Sequence, residues 1–315
     1  MKAVFFIVGP TATGKSQLAA DVAQKLGAEI ISADAFQIYR GLDLLTAKPD
    51  PITLAKAPHH LIGTMPISDE MNAEKFRRVA LQTLARVHSR GKLALVVGGS
   101  GLYVKALTHG LSPLPPTDSK LRAHLGEMSL NELRTKLTEL DPPTAHRIDI
   151  KNRRRMIRAI EICVATGKPA STQRAEWSAV AGVDDPGQPA STMPATGVFV
   201  FRDRDELYAR INRRVQLMFE HGLIEEVRTA GSISATASQM IGLREIRQLL
   251  AGKMSILQCM VAIQQATRRY AKRQLTWFRR QTNFLPLNLS LLSHHEAVTR
   301  ISQLAEASAV AQGND

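Results

Sequence analysis

Long apolar segments are absent from this chain of 315 residues, in which no run approaches eighteen consecutive apolar residues. A helix that crosses a bilayer needs about 20 such residues, so the sequence predicts no membrane span. Near the N-terminus, "AVFFIVG" leads directly into a glycine-rich motif that cleavage of a leader peptide would partly remove. We therefore expect this stretch to be a buried strand and the protein to be cytoplasmic.

Cysteine is also scarce, since Cys163 and Cys259 are the only two and lie far apart in the sequence. The chain has no CxxC pair and no cluster of cysteine with histidine, the groupings that are typical of zinc sites. The sequence therefore gives no indication of bound zinc. We expect both cysteines to be small buried apolar residues of a reducing compartment rather than nucleophiles.

Acidic residues are too few to balance the basic ones. The chain has 41 lysines and arginines against 28 aspartates and glutamates, which gives a formal net charge of +13. A surplus of this size favours an anionic polymer as partner. The alternative is a basic protein without such a partner. Clusters of arginine along the sequence would favour the anionic partner, and they are described below.

The patterns that are present alternate between strand and helix in the first hundred residues. Strands are predicted at 3–9, 28–34, 92–99 and 198–201, and helices at 14–26, 72–90, 152–166 and 257–280. The strand at 92–99 is apolar almost throughout, which is typical of a parallel strand covered on both faces. The sequence thus predicts an α/β fold with helices on both faces of a parallel sheet. The last thirty residues predict only a helix and a tail.

Two proline-containing joints, at 112–118 and 181–197, enclose a segment whose pattern is helical only. We therefore divide the chain into an α/β core, residues 1–112 and 197–315, and a mainly α-helical insertion domain, residues 113–196.

The sequence "GPTATGKS" matches the phosphate-loop pattern GxxxxGK[ST] at full spacing, between a predicted strand and a predicted helix. Small residues allow backbone N–H groups to converge on phosphate oxygens at the positive end of a helix. Lys15 adds a cation, and Ser16 offers a hydroxyl to a phosphate-bound Mg²⁺. The core is therefore predicted to be P-loop NTPase-like, and the phosphate-binding residues are Gly9, Pro10, Thr11, Ala12, Thr13, Gly14, Lys15 and Ser16.

The acidic residue nearest this loop indicates a chemistry other than phosphate splitting. Enzymes that split nucleotides usually place an acid near the magnesium ion, but the strand "LALVV" ends in Gly98, Gly99 and Ser100. Asp34 instead lies at the end of the strand at 28–34, and ligands bind at the carboxyl ends of parallel strands. A turn or cap aspartate is the competing interpretation. The neighbouring phosphate loop favours a catalytic role.

Several further motifs follow one another in the order found in one enzyme family. They are "IISADAFQIYRGLD", "TAKP", "APHHLI", "FRRVAL", "LVVGGSGLYVKAL", "GLSPLP", "NRRRMIRAIE", "QMIGLREI" and "AKRQLTWFRR". With the phosphate loop, they closely resemble the tRNA dimethylallyltransferases over about residues 3–280. Together the motifs are far more specific than the phosphate loop, which many unrelated proteins share.

The resemblance implies transfer of a dimethylallyl group from dimethylallyl pyrophosphate to the exocyclic amino group of the adenosine just 3′ of the anticodon in tRNA. It implies that the phosphate loop binds the pyrophosphate with Mg²⁺ as cofactor, and that Asp34 accepts the proton of the amine. Lys15 and Arg210 would complete the catalytic group, and Arg214 matches a second arginine of the same helix. The partners would be the tRNA anticodon stem-loop and the donor, bound by a monomer.

The resemblance also implies a set of tRNA contacts, since the base must leave its stack to enter a pocket. These residues are Asp34, Ala35, Phe36, Gln37, Ser100, Arg122, Asn152, Arg153, Arg154, Arg155, Met156, Gln239, Met240, Ile241, Gly242, Leu243 and Arg244. The sequence departs from the family pattern at Ala35 and Leu243. His59 and His60 match a family motif and are expected to be structural loop residues rather than ligands.

The basic clusters support part of this set independently. "KNRRRMIR" contains five cations in eight residues, and an apolar stripe of Met156, Ile160 and Val164 would direct the arginines outward. A solvated charged face is the usual interpretation of such a run. Two more clusters, Arg268/Arg269/Lys272/Arg273 and Arg279/Arg280, make contact with a phosphate backbone the better interpretation. Trp277 and Phe278, beside the last cluster, are expected in the core rather than stacked on a base.

Three other functions share some of these features. A P-loop kinase of small molecules or nucleotides would share the loop but needs neither the positive charge nor the insertion. An adenylate isopentenyltransferase would perform the same chemistry on a free nucleotide. A non-catalytic RNA-binding module of the ATPase type would make no product.

Overall fold

The computed structural model describes residues 4–111, 114–116, 118–172, 196–281 and 284–313, with the side chains of 311–313 left aside. The chain forms two compact units, one of Met1–Thr108 with Met193–Asp315 and one of His109–Thr192. Every helix within the described residues is too short or too polar to cross a bilayer. Most of the predicted joint at 181–197 lies outside the described residues.

The first unit is built on six strands that all pair in parallel, as predicted. Their order across the sheet is β3-β2-β4-β1-β5-β6. The strands are β1 (Val4–Val8), β2 (Glu29–Ser32), β3 (His59–His60), β4 (Ala94–Gly98), β5 (Thr196–Phe201) and β6 (Leu285–Asn288).

The helices fall between and after these strands. They are α1 (Lys15–Leu26), α2 (Pro51–Ala55), α3 (Ala73–Ser89), α4 (Gly101–Thr108), α5 (Ser119–Glu127), α6 (Leu130–Leu140), α7 (Pro142–Arg147), α8 (Arg153–Thr166), α9 (Arg204–Glu220), α10 (Leu223–Arg228), α11 (Leu243–Leu250), α12 (Ile256–Phe278) and α13 (His294–Gly313).

Both faces of the sheet are covered, because alternate side chains of β1 enter different cores. Val4, Phe6 and Val8 join a cluster that contains residues of α3, α4 and α9 to α12. Phe5 and Ile7 join a second cluster formed with α1 and α13. All five residues are at most 4% exposed, which explains why the sequence of this strand has no polar alternation.

The sequence predictions missed two edge strands. β3 contains His59 and His60, which were expected in a loop, and it extends the sheet beyond β2. β6 pairs with β5, although the last thirty residues predicted only a helix and a tail. Both strands are short, and β6 contains Pro286, which is tolerated at a sheet edge. Phe278 is buried in the core as expected, and Trp277 packs beside it.

The second unit has its own helical core. Leu125, Leu133 and Leu137 from α5 and α6 pack against Met156 and Ile160 of α8. The apolar stripe predicted on α8 is correct at those two positions and wrong at Val164, which is 49% exposed. Seven residues after Met156 a helix returns to nearly the same face, so Cys163 takes the buried position. Cys163 and Cys259 are both buried, as expected.

Candidate active site

The phosphate loop connects β1 to α1 in the first unit, as the motif predicted. A Cβ atom on Gly9 would lie 2.1 Å from the backbone oxygen of Val200, so only glycine fits between β1 and β5. Gly14 has a φ of 91° and immediately precedes α1. Its left-handed conformation turns the chain into the helix, whose first N–H groups then face the loop.

Lys15 lies folded back on this loop rather than extended into solvent. Its Nζ donates to the backbone oxygen of Pro10 at 3.0 Å, and Thr13 Oγ1 donates to the same oxygen at 3.0 Å. Desolvation by the surrounding protein lowers the pKa of Lys15 to about 8, against the opposing effect of Asp34 and with a smaller contribution from Arg214. A phosphate bound here would restore the stability of the charged form.

Three arginines hold three consecutive residues of the loop. Arg214 Nη2 donates to Thr11 Oγ1 at 2.9 Å, Arg210 Nε to the backbone oxygen of Ala12 at 2.9 Å, and Arg202 Nε to that of Thr13 at 2.8 Å. Arg210 and Arg214 both lie on α9, as the sequence motif predicted. Arg202 was not predicted, although a polar residue directly after β5 is the same signal that identified Asp34 after β2.

Arg214 is the arginine of this group best placed to bind an anion. Its Nε atom is buried, and among the described residues it has no hydrogen-bond partner. Burial lowers the pKa of Arg214 to about 10, with Asp34 opposing and Arg210 adding to the shift. Arg210, by contrast, is exposed. An unpaired buried guanidinium N–H is costly unless a ligand accepts its hydrogen bond.

Gln274 of α12 fixes the loop from the other side and was missed by sequence reasoning. Its Oε1 accepts from the backbone N–H of Thr11 at 2.9 Å, and its Nε2 donates to the backbone oxygen of Gly99 at 2.8 Å. The side chain is buried. It therefore joins the phosphate loop to the end of β4, which no local sequence pattern indicates.

Asp34 lies just beyond β2 and performs the turn role that was the competing interpretation. Its Oδ1 accepts from the backbone N–H groups of Phe36 at 3.0 Å and Gln37 at 3.4 Å. Its Oδ2 accepts no hydrogen bond from any residue that the structure describes. One oxygen therefore orders the turn while the other stays available, so the two interpretations do not exclude each other.

Two cavities meet at Asp34. The larger has a volume of about 970 Å³ and is lined by the phosphate loop, by residues 43–50 and by α9. The smaller has a volume of about 60 Å³ and is lined mainly by apolar side chains. Thr11, Asp34 and Arg214 line both. A large cavity with convergent polar groups and lysine and arginine pKa values displaced by burial is typical of an active site.

Several residues predicted to bind tRNA have structural partners inside the first unit. Ser100 Oγ accepts from the backbone N–H of Ala35 at 2.9 Å, and Gln37 Nε2 donates to the backbone oxygen of Ala47 at 2.9 Å. Leu243 is buried. Phe36, Met240 and Ile241 line the smaller cavity, and Gln239 and Gly242 flank the last two of them in the sequence. The side chain of Arg244 is 78% exposed and pairs with Glu245.

In the second unit, the predicted tRNA residues divide into paired and exposed groups. Arg122 makes two hydrogen bonds, of 2.7 and 2.8 Å, to the buried carboxylate of Glu161. Arg153 donates to the backbone oxygens of Leu125, Gly126 and Met128. Asn152 caps α8, and Met156 is buried. Arg154 and Arg155 remain exposed.

The predicted basic cluster Arg268/Arg269/Lys272/Arg273 lies on α12 and likewise contains both paired and exposed residues. Arg268 makes two hydrogen bonds to Oδ1 of Asn212 and lies 5.5 Å from the ring centroid of Tyr208. Arg269 is exposed. Contact of this cluster with a phosphate backbone remains a prediction.

His59 and His60 have protein partners. His60 Nε2 lies 2.7 Å from Glu29 Oε2, and His59 Nδ1 lies 2.7 Å from the backbone oxygen of Ala57. Among the described residues, no group of three or more histidine, cysteine, aspartate or glutamate side chains could hold a metal ion.

The chain is similar in sequence and in overall structure to several proteins whose names refer to tRNA modification. A model of the IPP transferase family matches residues 37–281. The tRNA dimethylallyltransferase of Akkermansia muciniphila is 41% identical over 276 residues, which cover 88% of this chain and 90% of that protein. That of Geobacter sulfurreducens is 42% identical over 284 residues, which cover 87% and 88%.

Two solved structures are similar over the whole chain. The full-length tRNA isopentenylpyrophosphate transferase of Bacillus halodurans matches with a TM-score of 0.71 and 31% identity, covering 100% of this chain and 99% of that one. A eukaryotic dimethylallyltransferase acting on tRNA matches with a TM-score of 0.73 and 25% identity, covering 100% of this chain and 79% of that one.

Proposed function

The chain belongs to the IPP transferase family, and on that premise we propose that it is a tRNA dimethylallyltransferase. It transfers a dimethylallyl group from dimethylallyl pyrophosphate to the exocyclic amino group of the adenosine 3′ of the anticodon and releases pyrophosphate. The observation that carries this proposal is the common cavity of the phosphate loop, Arg214 and Asp34. A binding site for an anionic leaving group and a proton acceptor thus line the same cavity.

The leaving pyrophosphate binds at the phosphate loop. Negative charge grows on it as the allylic C–O bond breaks, and the electron pair of that bond leaves with the pyrophosphate. The N–H groups at the start of α1, the ammonium group of Lys15 and the unpaired Nε–H of Arg214 are the donors placed to stabilise this charge. The role assigned to Arg210 from the sequence fits Arg214 better, because Arg210 is exposed and bonded to the loop backbone.

Asp34 takes the proton of the nucleophile. An aromatic amine is a poor nucleophile, so an acceptor within hydrogen-bond reach of its proton assists the new C–N bond. The Oδ2 atom of Asp34 is available for this proton, while Oδ1 remains bound to the turn. The turn fixes the direction of the carboxylate, so no reorganisation is needed when the adenine enters.

The residues present fit a Mg²⁺ ion that arrives with the pyrophosphate rather than one held by a protein cage. Ser16, at the start of α1, and Asp34 line the larger cavity, and β4 ends in residues without a carboxylate. Mg²⁺ usually binds through substrate phosphates, waters and one or two protein oxygens. When bound there it would neutralise part of the charge on the leaving group.

The acceptor tRNA accounts for the excess of positive charge. The target base is stacked in the anticodon loop and must be extruded to reach Asp34. The turn at residues 34–37 and the exposed Gln239 and Arg244 of the segment 239–244 are the proposed contacts in the first unit. In the second unit, exposed Arg154 and Arg155 are the proposed phosphate contacts, and one copy of the chain suffices for catalysis.

Incubation of the purified protein with undermodified tRNA, Mg²⁺ and labelled dimethylallyl pyrophosphate tests this function. Nucleoside analysis should find dimethylallyl adenosine in the tRNA digest. Parallel reactions with AMP as acceptor and with ATP as donor should give no product. Prenylated AMP without tRNA would indicate the free-nucleotide reaction, and phosphate transfer from ATP would indicate a kinase; either result overturns the proposal.

A further inference from the structure

The smaller cavity lies next to the larger one, and both are lined by Asp34. Six residues line both cavities and mark their junction: Thr11, Asp34, Thr46, Ala47, Arg214 and Met218. Beyond the junction the lining is mostly apolar and includes Leu45, Val215, Leu223, Met240 and Ile263, all at most 8% exposed. The smaller cavity is therefore an apolar space that begins at the reacting groups and ends in the core.

The size of this space suits a short hydrocarbon chain. Its volume of about 60 Å³ is less than half of the roughly 150 Å³ of an apolar cavity that binds benzene, so it accepts the end of a short prenyl chain whose remainder lies in the larger cavity. An adenine ring or a ten-carbon geranyl chain has ten heavy atoms in its skeleton and exceeds the space. An adenine would also leave its polar edges against an apolar wall.

One wall of the cavity is a loop in which two residues other than glycine adopt an unfavourable backbone conformation. Leu45, Thr46 and Ala47 belong to this loop and line the cavity. Leu42 and Ala47, near its two ends, have φ values of 50° and 51°. A left-handed conformation costs free energy in residues other than glycine and persists only when the surrounding structure fixes it. The loop must therefore be held by contacts from elsewhere.

Glu226 of α10 supplies such a contact. Its Oε1 accepts from the backbone N–H of Leu44 at 2.8 Å, and its Oε2 accepts from that of Leu45 at 2.9 Å. Gln37 holds the next two residues through their carbonyl groups. Hydrogen bonds to an ionised acceptor are stronger than neutral ones. The carboxylate of Glu226 thus fixes the position of Leu45, whose side chain lines the cavity.

We infer that Glu226 is a positioning residue that holds residues 44–47 as a wall of the smaller cavity and thereby limits the prenyl donor to five carbons. This inference rests on the proposed function. Glu226 does not contact the substrate in this arrangement. It acts through Leu45 and the neighbouring backbone, so its loss should change donor selection rather than tRNA binding.

The test compares Glu226→Gln with Glu225→Gln. A glutamine has one oxygen, so one of the two loop N–H groups loses its acceptor and faces an NH₂ group instead. Glu225 is the matched control, because it is the preceding residue, is exposed, and pairs with Arg228 instead of the loop. Each protein is assayed with undermodified tRNA and Mg²⁺, using either dimethylallyl or geranyl pyrophosphate as donor.

The wild type should transfer dimethylallyl and discriminate strongly against geranyl. Glu226→Gln should raise KM for dimethylallyl pyrophosphate by about tenfold, the scale of one lost hydrogen bond to a charged group. The ratio of kcat/KM for geranyl to that for dimethylallyl should also rise about tenfold, with KM for tRNA unchanged. Glu225→Gln should match the wild type. A loss of activity equal for both donors would indicate a merely structural role and overturn the inference.

If Glu226→Gln fails to fold, Leu45→Ala tests the same wall without removing the hydrogen bonds that Glu226 accepts from the loop. Shortening this side chain enlarges the cavity directly, so geranyl transfer should rise relative to dimethylallyl transfer. An unchanged donor ratio in a folded Leu45→Ala protein, or efficient geranyl transfer by the wild type, overturns the inference while leaving the proposed function intact. Absence of dimethylallyl transfer by the wild type would instead refute the proposed function itself.

Discussion

Arg214 reaches across from α9 to donate a hydrogen bond from Nη2 to Thr11 Oγ1 at 2.9 Å. The two residues are 203 positions apart in the sequence. This contact holds a guanidinium whose Nε atom is buried against the phosphate loop. The two arginines of α9 therefore differ in their contacts with the loop, and Arg214 is better placed than Arg210, which the sequence analysis assigned to the catalytic group.

Replacing Arg214 by glutamine should lower kcat/KM for dimethylallyl pyrophosphate on the order of 10²-fold, the scale of one lost donor to a developing anion. Arg210→Gln should have an effect about tenfold smaller, because Arg210 is exposed and bonded to the loop backbone. Steady-state kinetics at saturating tRNA measure both. Arg228→Gln is the charge-matched control on α10. Equal losses in Arg210→Gln and Arg214→Gln would contradict the assignment.

The depressed pKa of Lys15 predicts an alkaline limit to donor use. Protonated Lys15 attracts the pyrophosphate, and its pKa in the donor-free protein is about 8. The value of kcat/KM for the donor reports groups of the free enzyme, so it should be constant well below pH 8, fall to about half near pH 8 and continue to fall at higher pH.

The variant Lys15→Arg separates this titration from others. An arginine has a much higher pKa than a lysine, so the decline near pH 8 should disappear even if the overall rate is lower, which leaves any decline near pH 10 to Arg214. A decline of equal midpoint in Lys15→Arg would assign the titration to another group.

Asp34→Asn should leave the turn intact and remove the proton acceptor. The amide oxygen of asparagine still accepts from the N–H groups of Phe36 and Gln37. We expect kcat to fall by about 10²–10⁴-fold, the usual contribution of a positioned base, with tRNA affinity retained. Single-turnover kinetics and a filter-binding assay measure the two quantities. A kcat close to that of the wild type would remove Asp34 from the mechanism.

The three arginines at the start of α8 should contribute unequally to the affinity for tRNA. Exposed Arg154 and Arg155 are available to phosphates, so changing both to glutamine should reduce the slope of log affinity against log salt by about one per residue. Arg153→Gln should instead lower the melting temperature, because Arg153 binds backbone oxygens after α5. An unchanged slope in the double variant would mean that these arginines form only a solvated face.

The sequence by itself determined the features that are encoded within one contiguous stretch. The phosphate loop, the buried parallel strands and the aspartate after β2 are each specified by spacing over a few residues, because strand and helix periods act locally. The order of several such motifs also identified the family. The edge strands β3 and β6 escaped prediction because two to four residues carry too little pattern.

Only the tertiary structure decided which distant residues complete the site. Gln274 meets Thr11 across 263 positions, and Glu226 meets Leu44 across 182. It also showed that Arg122 and Arg153, both predicted tRNA contacts, make hydrogen bonds inside the second unit. The physical reason is that spacing fixes a side chain's direction only within its own element. Which element it then meets depends on how the helices pack over the two faces of the sheet.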